Sequence, residues 1–138
     1  MIQNPDIWKE YKQNPLSHSA AHYLMSIRQI EERKGYARLT DISFDLNISA
    51  ASASQSLKSL LNKNLIKENE DKFFQLTPKG LTLIKAVEKT QKLALKFFTE
   101  ILGVSPEQAE TDACKIEHLL SPETSEKLEQ FLNQSNDH

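Results

Sequence analysis

The chain has 138 residues, 38% of them hydrophobic and 26% charged, enough for one compact domain or a small domain plus an oligomerisation element. No apolar run approaches the roughly 20 residues that span a bilayer, the opening MIQNPDIWKEYKQNP carries no basic-then-apolar export pattern, and a single cysteine cannot close an internal disulfide, so a reducing cytoplasm is expected. The net charge of −2 hides an asymmetry: residues 1–104 hold 15 Lys and Arg against 11 Asp and Glu, a net of +4, whereas residues 105–138 hold 2 against 8, a net of −6.

A basic half joined to an acidic half suits a nucleic-acid binder with a separate control region. Residues 1–16 read as an N-terminal extension, with Pro5 and Pro15 bracketing a segment around Trp8 and Tyr11 that is compatible with a short helix. Ser17 to Arg33 predicts a helix whose stripe is Tyr23, Leu24, Ile27 and Ile30, closed by Gly35 at the C-cap. His22 and Met25 stand three apart on it and so share a side, as packing residues or as ligands.

Thr40 is a cap for a short helix, Asp41 to Leu46, and Asn47 occupies a turn that needs positive φ. Ser49 then caps a second helix, Ala50 to about Asn62, with Ala53, Leu57, Leu60 and Leu61 as its buried stripe. The opposite side shows Ala51, Ser52, Gln55, Ser56, Lys58 and Ser59. Small polar groups and one amide allow close approach to base edges, and the N-terminal amides favour phosphate.

Leu65–Lys67 and Phe73–Leu76 are short strand candidates around the acidic tip Glu68-Asn69-Glu70-Asp71, with Lys67 and Lys72 beside it to meet phosphate instead. Helix, turn, helix and hairpin in this order predict a mainly α protein with a small β-wing, a winged helix-turn-helix over residues 17–80. Residues 81–133 are expected to form a linker helix and a helical dimerisation domain, and residues 134–138 a disordered tail.

Thr77-Pro78 starts a long helix of about 24 residues that ends at Gly103. Ser105-Pro106-Glu107-Gln108 reads as a capping box before a helix carrying Cys114, Glu117 and His118. Ser121-Pro122 starts the last helix, with Leu128, Phe131 and Leu132 inward.

Cys114, Glu117 and His118 fall at i, i+3 and i+4, so thiol, carboxylate and imidazole project from one side of a helix. These are the commonest donors for a first-row transition metal, although the spacing equally fits a buried Cys with a surface Glu-His pair. A Cys-His nucleophile has no orienting group or oxyanion site beside it, so no enzyme is expected.

The runs HYLMSIRQIEERKGYARLTDI, SASQSLKSLLNKNLI, LTPKG and ACKIEHLLSPE resemble the diphtheria toxin repressor family of metal-dependent bacterial repressors. The resemblance covers Ser17 to Leu132, and in length and in its KGYAR the chain is similar to the two-domain MntR-like subtype. It implies a homodimer with a winged domain at each end and a helical core. It also implies a divalent ion joining the first helix to that core, so that the spacing of the two recognition helices is fixed.

The implied ligands are Cys114, Glu117 and His118, with His22 as a substitute on the first helix and Met25 and Gln91 as poorer ones. That set leaves room for one metal. Its softness favours Fe²⁺, Zn²⁺ or Co²⁺, and the resemblance favours Mn²⁺. Ser49, Ser52, Ser54 and Gln55 match recognition-helix positions of the family. With Thr40, Ala51, Lys58, Ser59 and Lys72 they make up the expected DNA-facing set, while Leu39, Ser59 and Asn62 stand where members carry Arg. Phe44 is expected on the exposed side of its helix.

The expected function is a metal-responsive regulator, a homodimeric repressor of metal-uptake genes that binds double-stranded DNA and has no small-molecule substrate and no membrane partner. Two alternatives stay open: a metal-independent or redox-sensing regulator acting through Cys114, and a dimeric metal-binding or interaction module without DNA readout.

Overall fold

The structure, a computed structural model, describes residues 16–136. The segment around Trp8 and Tyr11 and the last two positions of the tail lie outside the described residues. The chain divides into two compact units, His18–Ala86 and a second formed from Val87 onward, to which Leu16 and Ser17 also belong.

The first unit opens with α1 (His18–Lys34). Its predicted stripe is buried throughout, joined by Ala20, Ala21 and Ser26. A buried hydroxyl needs a partner, and Ser26 donates to the Asp45 carboxylate at 2.6 Å, which ties α1 to α2 (Leu39–Asp45). Gly35 at φ +90° ends α1, a conformation that glycine adopts without steric cost.

The start of α2 corrects the expected Thr40 cap. Arg38 is the N-cap, and Thr40 lies inside the first turn. The Asp41 carboxylate reaches back to accept the Arg38 amide at 3.1 Å and is held by the Lys34 ammonium at 2.7 Å. A carboxylate at the third helical position satisfies the cap amide from within the helix, so no Thr40 hydroxyl cap is required.

Asn47 takes φ 55°, as its turn requires, and Ser49 caps α3 (Ala50–Asn62) by accepting the Ser52 amide at 3.1 Å. Ala53, Leu57 and Leu60 are buried, and Leu61 is half-buried.

The wing pairs β1 (Ile66–Glu68) antiparallel with β2 (Phe74–Leu76), Ile66 opposite Leu76 and Glu68 opposite Phe74. The first strand starts one residue later than predicted because Leu65 is already engaged. Its amide donates to the Leu60 carbonyl that closes α3, and its carbonyl accepts from Thr77 at 3.1 Å. At the tip, the Asn69 side-chain oxygen accepts the amides of Asp71 and Phe73, each at 2.9 Å, an Asx-type turn.

The Phe74 amide donates to the Ala37 carbonyl at 2.8 Å, so the loop before α2 is fastened to the wing. Beside that junction Tyr36 stacks on Phe73 with ring centres 4.9 Å apart. The Arg38 guanidinium stands over both rings, 5.4 Å from Tyr36 and 5.0 Å from Phe73.

Thr77 caps α4 (Pro78–Lys96) as predicted, accepting the Gly80 amide at 3.1 Å and donating to the Asn64 carbonyl at 2.7 Å. A Cβ on Gly80 would sit 2.0 Å from the Leu65 carbonyl oxygen, so only glycine lets the helix begin this close to the strand.

In the second unit, α4 gives way at Phe97–Ile101 to a π-helical turn. The Leu102 amide reaches the Phe97 carbonyl there at 3.1 Å. The helical run is as long as predicted, but its last turn is wider.

Ser105 caps α5 (Pro106–Ile116), accepting the Gln108 amide at 3.4 Å. The Gln108 side chain donates forward to Asp112 at 2.9 Å, so the capping box is only half made. Helix α5 buries Ala109 and Ala113. Helix α6 (Pro122–Asn136) is joined to α4 by a Thr90–Ser125 hydrogen bond of 2.8 Å and a Lys89–Glu129 ion pair of 3.0 Å.

Two expectations fail on α6. The helix continues through residues 134–136, expected as a disordered tail, because extending a formed helix costs far less than starting one. Phe131, expected inward, remains 46% exposed, edge-on to Phe97 at 6.0 Å, while Leu132 is buried.

Candidate metal centre and nucleic-acid interface

On α3, Ser49, Ala51, Ser52, Ser54, Gln55, Lys58 and Ser59 are all exposed, as are Thr40 on α2 and Lys72 in the wing. The Ser49 hydroxyl also donates to the Ser52 hydroxyl at 3.0 Å, so this pair is partly occupied in holding the helix start. An open groove of about 560 Å³ runs between α3 and the wing, lined among others by Arg38, Thr40, Ser54, Lys58, Glu68 and Lys72. Arg38, Lys58 and Lys72 are the basic groups of this lining, and Glu68 and Asp71 are acidic groups that disfavour a phosphate backbone.

Arg38 was not among the residues singled out from the sequence. Its signal was position, a lone arginine directly before the first helix of the motif. Lys67, paired with Lys72 in that reading, lines a separate hollow with Arg28, Glu31 and Glu32. Phe44 is 88% exposed on α2, as expected.

Helix α1 carries two neighbouring imidazoles. The Nε2 atoms of His18 and His22 lie 3.1 Å apart, with ring centres at 4.5 Å. Burial, followed by the charge of His18, holds His22 below the usual histidine range, which favours the neutral form that ligates metals. His18 is the neighbouring imidazole that sequence reasoning missed, although HSAAH at i, i+4 carried it. Met25, a weaker thioether donor, is half-buried on the same helix.

Helix α5 and the residues that end it carry a thiol, a carboxylate and an imidazole. Cys114 lies in the last turn of α5, and Glu117 is the C-cap residue, its amide bonded to the Ala113 carbonyl at 3.0 Å. The expected one-sided triad therefore spans the helix end, with His118 just beyond it. Glu117 is 3% exposed, and its Oε1 has no hydrogen-bond partner among the described residues.

Burial, then the charge of Glu88 on α4, pushes the Glu117 carboxyl up to about 7. Burial, then Glu117 and Glu110, raises the Cys114 thiol above its ordinary value. A buried carboxylate oxygen without a donor is costly. A bound cation would relieve that cost, and thiolate, carboxylate and imidazole suit a divalent transition metal, so the residues present fit one. Gln91, an amide, is half-buried on α4.

Comparison with known proteins covers both units. The family model described as "Iron dependent repressor, metal binding and dimerisation domain" matches residues 77–137, and one described as "Winged helix-turn-helix" matches residues 24–95. The diphtheria toxin repressor of Corynebacterium diphtheriae is 30% identical over 110 residues, covering 80% of this chain and 49% of the repressor. The chain thus spans about half the length of the curated relatives it matches.

The solved structure of the manganese regulator SloR is similar with a TM-score of 0.72 at 26% identity, covering 82% of this chain and 53% of that one. A hypothetical protein from Sulfolobus solfataricus is similar with a TM-score of 0.74 at 23% identity, covering 86% of this chain and 91% of the other, a likeness of fold alone. Among the described residues no helix is long and apolar enough to cross a membrane. This chain belongs to the winged helix-turn-helix family, and its residues 77–137 match the metal-binding and dimerisation domain of iron-dependent repressors.

Proposed function

We propose that this chain is a cytoplasmic, metal-responsive DNA-binding regulator, a homodimeric repressor of metal-uptake genes. The observation that carries the reading is the buried, unpartnered carboxylate oxygen of Glu117, one helical turn from the Cys114 thiol. In this reading His22 on α1 and Cys114, Glu117 and His118 in the helical unit ligate one divalent ion, with Met25 and Gln91 as weaker donors. When bound, the ion adds free energy only to the arrangement it bridges, and so raises the population of the form that fits DNA.

The donors' own chemistry sets the rest. His22 offers a neutral imidazole, and Glu117 and Cys114 release protons as they ligate. The ligand softness favours Fe²⁺ or Zn²⁺, while the manganese regulator SloR keeps Mn²⁺ in consideration. The exposed Ser54, Gln55 and Lys58, with Thr40, Ala51, Ser59 and Lys72, face double-stranded DNA, and Ser49 and Ser52 hold the start of the helix that carries them. Ile101, Leu102, Leu119 and Phe131 are exposed apolar groups of the helical unit and supply a surface for a second copy. The raised Cys114 thiol counts against the redox-sensing alternative, since reactive cysteines are those whose thiolate is favoured.

Fluorescence anisotropy on the chain's own promoter DNA, with and without Fe²⁺, Zn²⁺ or Mn²⁺, tests the proposal. Metal is expected to tighten binding about 5- to 150-fold, the ordinary range of allosteric coupling, and Cys114→Ser to remove most of that gain. Equal affinity with and without every metal would refute the sensing half.

A further inference from the structure

We propose that His18 is a further ligand of the ion, so that His18 and His22 act as one bidentate bis-imidazole arm on α1. This deepens the metal-responsive reading and rests on it. The two Nε2 atoms are 3.1 Å apart, with ring planes at 73°. Nitrogens bound at about 2.0–2.1 Å to one ion are about 3.3 Å apart in tetrahedral geometry and about 2.9 Å apart at a right angle. The observed separation falls between the two; it is that of a hydrogen bond between the rings, and loss of the shared proton to an incoming cation would leave both nitrogens at the spacing that one ion requires.

Spacing at i, i+4 places both rings on one face across a single turn, and the stiffness of the helix means that little ordering remains to be done. A third imidazole also changes selectivity. With three nitrogens from His18, His22 and His118, one thiolate and one carboxylate, the donor set belongs to Zn²⁺, Co²⁺ or Fe²⁺, and Mn²⁺ loses the oxygen-rich surroundings it prefers.

Co²⁺ is the probe, titrated into the full-length chain and followed by its visible and near-ultraviolet absorption. Wild type, His18→Gln and Cys114→Ser are compared, and Mn²⁺ is then used as competitor. His18 is exposed, so His18→Gln is expected to keep the wild-type circular dichroism spectrum. The inference predicts that His18→Gln weakens Co²⁺ binding on the order of 10- to 100-fold, alters the d–d bands, keeps the thiolate-to-cobalt band and narrows the preference over Mn²⁺.

If His18→Gln binds and absorbs like wild type while Cys114→Ser loses the thiolate band, His18 is not a ligand, and the regulator reading stands without it. If wild type shows no thiolate band and Cys114→Ser changes nothing, the shared-site reading fails and this inference fails with it.

Discussion

The two units solve the burial problem in opposite ways. His18–Ala86 fills its interior with large apolar side chains, Leu24, Ile27, Ile30, Ile42, Leu57, Leu65, Ile66 and Ile84, each almost fully buried, and leaves only Phe44 as an exposed large apolar residue among those described. From Val87 onward the buried apolar residues are Val87, Ala94, Ala109, Ala113 and Leu132, while Ile101, Leu102, Leu119 and Phe131 remain exposed. Charge divides the same way. Residues 18–86 hold 10 Lys and Arg against 7 Asp and Glu, and residues 87–138 hold 5 against 10. The first unit is basic and buries its large apolar groups; the second is acidic and leaves Ile101, Leu102, Leu119 and Phe131 on the outside.

The sharpest way to break this contrast is to cut into the core of the first unit. Leu57→Ala is expected to cost the wing-bearing unit about 2–5 kcal/mol, read as a lowered denaturant midpoint. A cost under 1 kcal/mol would show that its core is not what holds it together. Leu102→Ser probes the other side. It is expected to weaken self-association about tenfold or more in sedimentation velocity while leaving the thermal midpoint of the winged unit unchanged. A fall in that midpoint instead would assign Leu102 to the fold rather than to an interface.

The smallest effect concerns Glu117 in the metal-free protein. Its folded value of about 7 lies above the ordinary 4.5, so the fold holds the proton more tightly than the unfolded chain does. That contribution to stability is complete below about pH 4.5 and is lost as the pH rises to about 7. Glu117→Gln is expected to flatten the decline in melting temperature across this window and to raise the midpoint at pH 8. An unchanged slope would remove Glu117 as its source.

Much of this architecture was legible in the residues. The stripes of α1 and α3, the Asn47 turn and the Ser49 and Thr77 caps follow from local rules, and all but the half-buried Leu61 took the expected form. What was not legible depends on contacts between distant residues. Thr40 and Asp41 are both competent at a helix start, and the outcome involves Lys34, seven residues before Asp41. No glycine or proline in Phe97–Ile101 announces the π turn. Phe131 has the period of an inward residue, but periodicity does not say whether the surface it faces belongs to the same molecule. At the candidate metal centre, Cys114, Glu117 and His118 were visible as a spacing; His18 and His22 carried the same i, i+4 signal in HSAAH, but only the ring positions show that their nitrogens meet.

The aromatic pair at the base of the wing bears on how readily the groove can receive an anion. A guanidinium in free solution samples many rotamers, and fixing a long side chain costs about 1.5–2 kcal/mol. Arg38, settled over the faces of Tyr36 and Phe73, has given up part of that freedom before any ligand arrives. An incoming phosphate would then meet a charge already aimed, and the entropy lost on contact would be that much smaller.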